Sequence, residues 1–276
     1  MIKSQDLPIY QQALDGFKKI YTGKLREFDL KGDPQGADKV VPVLKQHPTD
    51  LILAVGLLAA RVAKENFQQT PIVFCMILDP ERFSLSGGKI TGVTLEVSIL
   101  EVFSGIRDLF PKAERIGVLY DPQKTGKMID LAKTAVQASG LSLISVEVNS
   151  EKSVPAATRT LPGKIDLLWV VPDSTVVTPE SLDFLLLTSF ENKLPIITFS
   201  EDLVKRGAVA AFSPDYHSVG EQAGRLALRV LGGEDPDKIP IRPAEKTRLS
   251  INLKTAQKMG IRFDPKVLQS ADKVYE

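Results

Sequence analysis

Residues 165–202 read IDLLWVVPDSTVVTPESLDFLLLTSFENKLPIITFSED. The stretch is an apolar run, a turn rich in Pro, Asp, Ser and Thr, a segment of helix length, and a second apolar run opened by Leu-Pro. Residues 49–80, TDLILAVGLLAARVAKENFQQTPIVFCMILDP, repeat that plan. In both, Asp opens the first run (Asp50, Asp166), Pro-Ile opens the second (Pro71 and Ile72, Pro195 and Ile196), and Asp closes it (Asp79, Asp202). Runs of Val, Ile and Leu too continuous to alternate are what strands buried on both faces of a parallel sheet look like. Each copy therefore reads as a strand-helix-strand unit.

The repeat extends outward. Residues 2–4, 8–21 and 26–30 form a strand, helix and strand that match residues 115–120, 125–139 and 143–148. Between them the pattern predicts a helix over 36–46, a strand over 51–55 and a helix from Gly56 to about Gln68. A strand follows over 71–78, then a loop over 81–89, a short extended piece over 90–94 and an amphipathic helix over 98–110. Beyond the second copy, a strand is expected over 207–212 and a helix over 218–231, ended by Gly232 and Gly233. An extended linker over 236–243, a strand over 248–253 and a tail with one helix and a short final piece complete the chain. The fold class is α/β, with two doubly wound parallel-sheet lobes, a hinge and an interlobe cleft. Ligands of such sheets bind outside the carboxyl ends of the strands. The turns expected to line the cleft are therefore 4–6, 56–59, 79–80, 120–127, 172–175 and 199–202.

Composition narrows the function. Across 276 residues, 35 Lys and Arg nearly cancel 34 Asp and Glu, so no broad basic surface for nucleic acid is indicated. A hydrophobic share of 43% and a charged share of 25% are those of an ordinary globular protein. No run reaches the ~18 apolar residues of a membrane span. The single cysteine, Cys75, sits in the strand-like PIVFCMIL and reads as a buried thiol. The first strand begins almost at residue 1, which suggests a mature chain whose export signal has been removed.

Catalytic signatures are mostly absent. No GxGxxG, HExxH or GxSxG occurs; TGKM at 125–128 lacks the first glycine and the Ser or Thr of a phosphate loop, and the SxxK at 86–89 lies in a glycine-rich loop. His47 and His217 are the only histidines and lie far apart beside turn residues, so neither metal ligation nor a catalytic triad is expected, and no cofactor. Asp79 and Asp121 precede prolines, where a turn role and ligand contact are both open. Asp173, in a polar turn after a buried run, either caps the next helix or meets a ligand. Trp169 reads as core, whereas Tyr10, Tyr120 and Tyr216 are placed to stack on a ligand.

Taken in order and spacing, TPIVFCMILDP, ITGVTLEV, PKAERIGVLYDP, VVPDSTVVTPE, VKRGAVAAFSPDYHSVGEQAG and LSINLKTAQKMGI resemble the solute-binding components of ABC transporters related to the tryptophan- and tyrosine-binding group. The resemblance runs from Ser4 to Ile261 and implies a type I periplasmic-binding-protein fold, two lobes joined by three crossings. It places residues 1–92 with 214–243 in one lobe and 93–213 with 244–276 in the other. By the same resemblance Ser4, Gln5, Tyr10, Gly56, Leu57, Leu58, Asp79, Tyr120, Asp173, Ser174, Thr175 and Asp215 surround the ligand, with Asp173 facing an ammonium group. The chain departs from the group's pattern at Leu57, where Thr is usual, and at Asp121, Gly126 and Lys127, where Asn and Ser are usual. These changes weaken the case for an α-amino acid, while Lys127 offers a charge for an anion.

The expected function is that of an extracytoplasmic receptor that closes on a small molecule, an amino acid and an aromatic one if it follows the group's pattern, and hands it to a membrane permease. A monomer, periplasmic or lipid-anchored at the outer face of the cytoplasmic membrane, is implied. The alternatives are the ligand-sensing domain of a cytoplasmic transcriptional regulator and an enzyme using the same cleft.

Overall fold

Parallel strands joined by helices organise the whole chain. The computed structural model describes residues 1–276, the side chain of Ala138 excepted. Two units form, one of residues 1–97 and 214–246, the other of 98–213 and 247–276. The first opens with β1 (Ile2–Lys3), α1 (Pro8–Ile20), β2 (Phe28–Asp29), α2 (Ala37–Lys45), β3 (Ile52–Val55), α3 (Leu57–Asn66), β4 (Ile72–Ile77) and β5 (Ile90–Thr94). The second holds α4 (Ile99–Leu109), β6 (Arg115–Tyr120), α5 (Pro122–Ala138), β7 (Ser142–Glu147), α6 (Val154–Arg159), β8 (Leu167–Trp169), α7 (Pro179–Glu191), β9 (Ile196–Thr198), α8 (Glu201–Arg206) and β10 (Ala210–Pro214). The chain then returns to the first unit as α9 (Tyr216–Leu231) and ends in the second as β11 (Thr247–Asn252), α10 (Leu253–Lys258), α11 (Pro265–Ser270) and β12 (Lys273–Tyr275).

The first sheet runs β2-β1-β3-β4-β5, with every pairing parallel. The second runs β12-β11-β10-β9-β8-β6-β7. Counted from each unit's own first strand, both contain the order 2-1-3-4-5 of one common doubly wound fold. The internal repeat in the sequence is thus a repeat of topology.

Both faces of the first sheet are covered, which explains the unbroken apolar runs. Ile52, Ala54, Ile72 and Phe74 face a layer with Val40, Leu44, Ala60 and Ala63. Their neighbours Leu53, Val55, Val73 and Cys75 face the other layer, with Leu14, Phe17, Val219 and Ala223. Helices α1 and α9 approach unusually closely. A Cβ on Gly220 would lie 1.8 Å from the Ala13 carbonyl oxygen, and one on Gly16 1.9 Å from that of His217. In the second unit Leu168, Val170 and Ile196 join Leu182 and Leu185 in one core. Trp169, on the opposite face, meets Phe103 edge-on at 5.2 Å, the core position expected for it.

Several local expectations are corrected. The helix after Tyr120 starts at Pro122, not Thr125, because Asp121 accepts the Gln123 amide (2.9 Å) and Pro122 suits a first helical turn. Residues 122–127 are therefore helix, not turn. Helices α6 and α8 were not anticipated; each is six residues long, too short for a periodic signal. The tail carries two short helices where one is expected, and short 3-10 turns interrupt the expected loop and linker at Pro80–Phe83 and Pro236–Lys238. The first crossing follows Val97 and the last follows Lys246. There the Thr94 amide donates to the Arg242 carbonyl (2.8 Å) and the Ala244 amide to that of Glu96 (3.2 Å), which keeps both segments on the first unit.

Candidate functional site

In the order 2-1-3-4-5 the connections leave strands 1 and 3 on opposite sides, which opens a crevice at their carboxyl ends. In the first unit these ends are Ser4, after β1, and Gly56, after β3. The Ser4 amide donates to the Val55 carbonyl (2.9 Å), and the Ser4 Oγ accepts the Ala59 amide (3.0 Å). Gly56 has φ +86°, and a Cβ there would stand 2.4 Å from the Tyr10 Oη and 2.7 Å from the Ser4 Oγ. Glycine is thus required by conformation and by space. Ser4, Tyr10 and Gly56 are thus brought together at one strand end.

Helix α3 begins here with Gly56 in the cap position, which offers no side-chain acceptor of its own, and Ser4 takes only the Ala59 amide. Its first amides, Leu57 and Leu58, have no acceptor within the helix and stand at its positive end, while their side chains pack partly on the core. Burial, and next the Cys75 thiol, push the Tyr10 hydroxyl upward, so it is a protonated donor at neutral pH. Asp79 follows the neighbouring strand, β4, in a left-handed conformation, and its Oδ1 accepts the Arg82 amide (3.2 Å). It adds to desolvation in raising the Glu96 carboxyl. Gln5 is exposed and lies over Gly32, 3.1 Å from where a Cβ would be. Asp215 caps α9, accepting the Ser218 amide at 2.8 Å.

The second unit uses the equivalent ends, those of β6 and β8, differently. Asp173 is fully buried. Its Oδ1 accepts the amides of Thr175 (2.8 Å) and Val176 (3.2 Å), and its Oδ2 accepts the Asp121 amide (2.8 Å) and the Thr125 hydroxyl (2.5 Å). The Thr175 hydroxyl donates in turn to the Asp121 Oδ2 (2.7 Å). Two carboxylates and two threonines thereby clasp the β6 and β8 turns together. Four donors occupy the four lone-pair directions of the Asp173 carboxylate; it caps its own turn and anchors the other. Thr125 was given no role by the sequence, since nothing there pairs it with a residue 48 positions away. Ser174, at the crest of the clasped turn, and Lys127, in the second turn of α5, are exposed.

Tyr120 turns away from this turn. Its hydroxyl donates to Glu147 (3.0 Å), the residue opposite it on β7, and Lys133 lies over its ring. A stacking role for Tyr120 is not what this geometry offers. His217 sits 3.5 Å from Glu221 on α9, and His47 is exposed beyond α2. Among the described residues no group of His, Cys, Asp or Glu could hold a metal ion. The Cys75 thiol, buried, is pushed up to about 12 and is chemically quiet.

Two α/β units of one strand order, linked by three crossings and carrying polar turns at their carboxyl edges, define the type I periplasmic-binding-protein class. A family model described as ABC transporter substrate binding protein matches residues 11–275, and the chain belongs to that family. It is 28% identical over 271 residues to a tyrosine-binding protein of Clostridioides difficile, a match covering 92% of this chain and 78% of the relative. Its fold is similar to that of an ABC domain in complex with L-Trp from Streptococcus pneumonia, with TM-score 0.69 and 23% identity over 99% of this chain and 98% of the other. It is also similar to the ligand-free, open form of a substrate-binding protein with adhesive properties from Clostridium difficile, with TM-score 0.82 and 22% identity over 99% and 97%. At such identities the two structures speak for the fold. The family is one of extracytoplasmic receptors that serve ABC permeases. No helix among the described residues is long and apolar enough to cross a membrane.

Proposed function

We propose that the solute is an α-amino acid, with an aromatic one the first choice, and that its carboxylate is received by the amino end of α3. The observation that carries this reading is the set of donors at one strand end: the uncapped amides of Leu57 and Leu58 with the Tyr10 hydroxyl beside Gly56. A helix amino terminus with free amides suits an anion. Asp79, on the adjacent strand end, is the carboxylate assigned to the ammonium, in place of the clasped Asp173. Neighbouring strands lie roughly 5 Å apart, a spacing suited to the two charged groups of one amino acid. Ser174, Thr175 and Lys127 are further candidate contacts on the second unit. The named relatives, one tyrosine-binding and one in complex with L-Trp, support the aromatic choice. The protein acts as a monomer, in the periplasm or anchored at the outer face of the cytoplasmic membrane, and hands its solute to a permease.

The test is a thermal-shift comparison of L-tyrosine and L-tryptophan with tyramine, which lacks the carboxylate, and 3-(4-hydroxyphenyl)propionate, which lacks the ammonium. Stabilisation by the amino acids, lost with both analogues, is the expected result. Stabilisation by tyramine equal to that by tyrosine would remove the carboxylate assignment.

A further inference from the structure

Helix α3 and the turn after β4 continue beyond the candidate solute residues to form a second feature. Arg61, Lys64 and Glu65 of α3, with Arg82, Phe83 and Leu85, line a surface groove of about 550 Å³. Three of these side chains are cationic and one is acidic. Lys64 is fixed there by the carbonyl oxygens of Ser84 (2.5 Å) and Ser86 (2.9 Å), so its charge meets no carboxylate in those contacts. The Arg82 guanidinium lies 5.6 Å from the centre of the Phe83 ring. Arg61 reaches Glu65 only at 3.8 Å, with both side chains more than half exposed, a pairing worth little in water. The groove therefore presents net positive charge around an aromatic floor, although the whole chain carries a formal net charge of only +1.

Its position gives that charge a use. Leu57, Arg61 and Lys64 follow one another at four and three residues, along one face of α3. One wall of the groove thus starts at the helix end assigned to the solute, and the other is the turn that begins at Asp79.

We infer that this groove is the surface by which the first unit docks on its membrane permease, and that it receives an acidic, extracytoplasmic loop of that partner. The inference rests on the receptor reading, because a solute-delivering chain has a permease to meet, and charge complementarity selects the loop. An anionic lipid surface is the competing occupant, which the test separates.

The experiment places the photo-crosslinking residue p-benzoylphenylalanine at Phe83 of the full chain in its source cells, and identifies captured peptides by mass spectrometry. A control chain carries it at Lys39, which is exposed on the same unit. Capture of an ABC permease from position 83 and not from 39, reduced at least tenfold by Arg61→Glu with Arg82→Glu, is expected. Capture unaffected by the charge reversal, equal capture from position 39, capture of lipid alone, or no capture overturns the proposal. Amino-acid thermal shifts are measured alongside: if the chain without charge reversal shows them while its capture from position 83 fails, the groove is wrong and the receptor reading stands, and if the charge-reversed chain keeps them, its loss of capture is not a loss of fold.

Discussion

The fully buried carboxylate of Asp173, with donors on both oxygens, makes one residue the hinge of two opposed expectations. Removing it leaves the amides of Asp121, Thr175 and Val176 and the Thr125 hydroxyl without their acceptor. Buried donors stripped of a charged partner are costly. Asp173→Ala should therefore destabilise the second unit by about 3 kcal/mol, read in urea through the fluorescence of Trp169, the single tryptophan. Unchanged stability with lost amino-acid affinity would instead return Asp173 to the ligand, as the resemblance implies. At Gly56 the prediction is sharper, because an added methyl meets two hydroxyls and a left-handed φ together. Gly56→Ala should cost about 2 kcal/mol and weaken solute affinity at least tenfold, while Tyr10→Phe should weaken affinity with stability nearly unchanged. The turns were legible as residue types, since Asp, Ser, Thr and Gly at strand ends announce themselves. Which of them face outward was not, because that depends on partners such as Thr125 that no local pattern reveals.

At the level of elements, the repeated Asp that opens each first apolar run serves only one copy. Asp166 binds the start of β8 to the start of β6: its Oδ2 accepts the amides of Glu114 and Arg115, both at 2.9 Å, and its Oδ1 meets the Arg115 guanidinium at 2.8 Å. Asp50, its counterpart, is exposed. The Arg115 guanidinium, followed by the two amides, holds the Asp166 carboxyl below its ordinary 3.8. A carboxyl whose folded pKa is depressed contributes stability above its unfolded value and loses it as pH falls through the folded one. Asp166→Asn should accordingly lower Tm at pH 7, and the gap to the unaltered chain should narrow below about pH 4. A gap that is constant from pH 7 to pH 3 would contradict the charge-based account. Strands were readable because burial on both faces erases alternation, and long helices because α9 buries Val219, Ala223, Leu226, Ala227 and Val230 at helical spacing. Helices α6 and α8 escaped notice since two turns hold too few apolar positions to show a period. The start of α5 lies three residues before the expected one because an Asp-Pro pair suits a helix cap and first turn as well as it suits a tight turn.

For the whole molecule, the two halves were visible in the sequence as a repeated order of runs, and the structure returns them as one strand order used twice. The points where the chain crosses were less visible, because residues 95–97 and 243–246 are short segments without a periodic pattern, held by the Ala244–Glu96 backbone bond and by the distant Gln222 side chain, which bonds the Pro243 carbonyl and the Glu245 amide. Membership of the ABC transporter substrate-binding family makes solute capture the property on which the rest depends. Binding to the folded chain alone must raise its Tm by mass action. The most direct measurement is native mass spectrometry of the purified chain, followed by denaturation and identification of whatever is released. One amino acid per chain, displaced by excess L-tyrosine or L-tryptophan, is the predicted result. A released compound without a carboxylate, or a chain that takes up neither amino acid at millimolar concentration, would contradict the account.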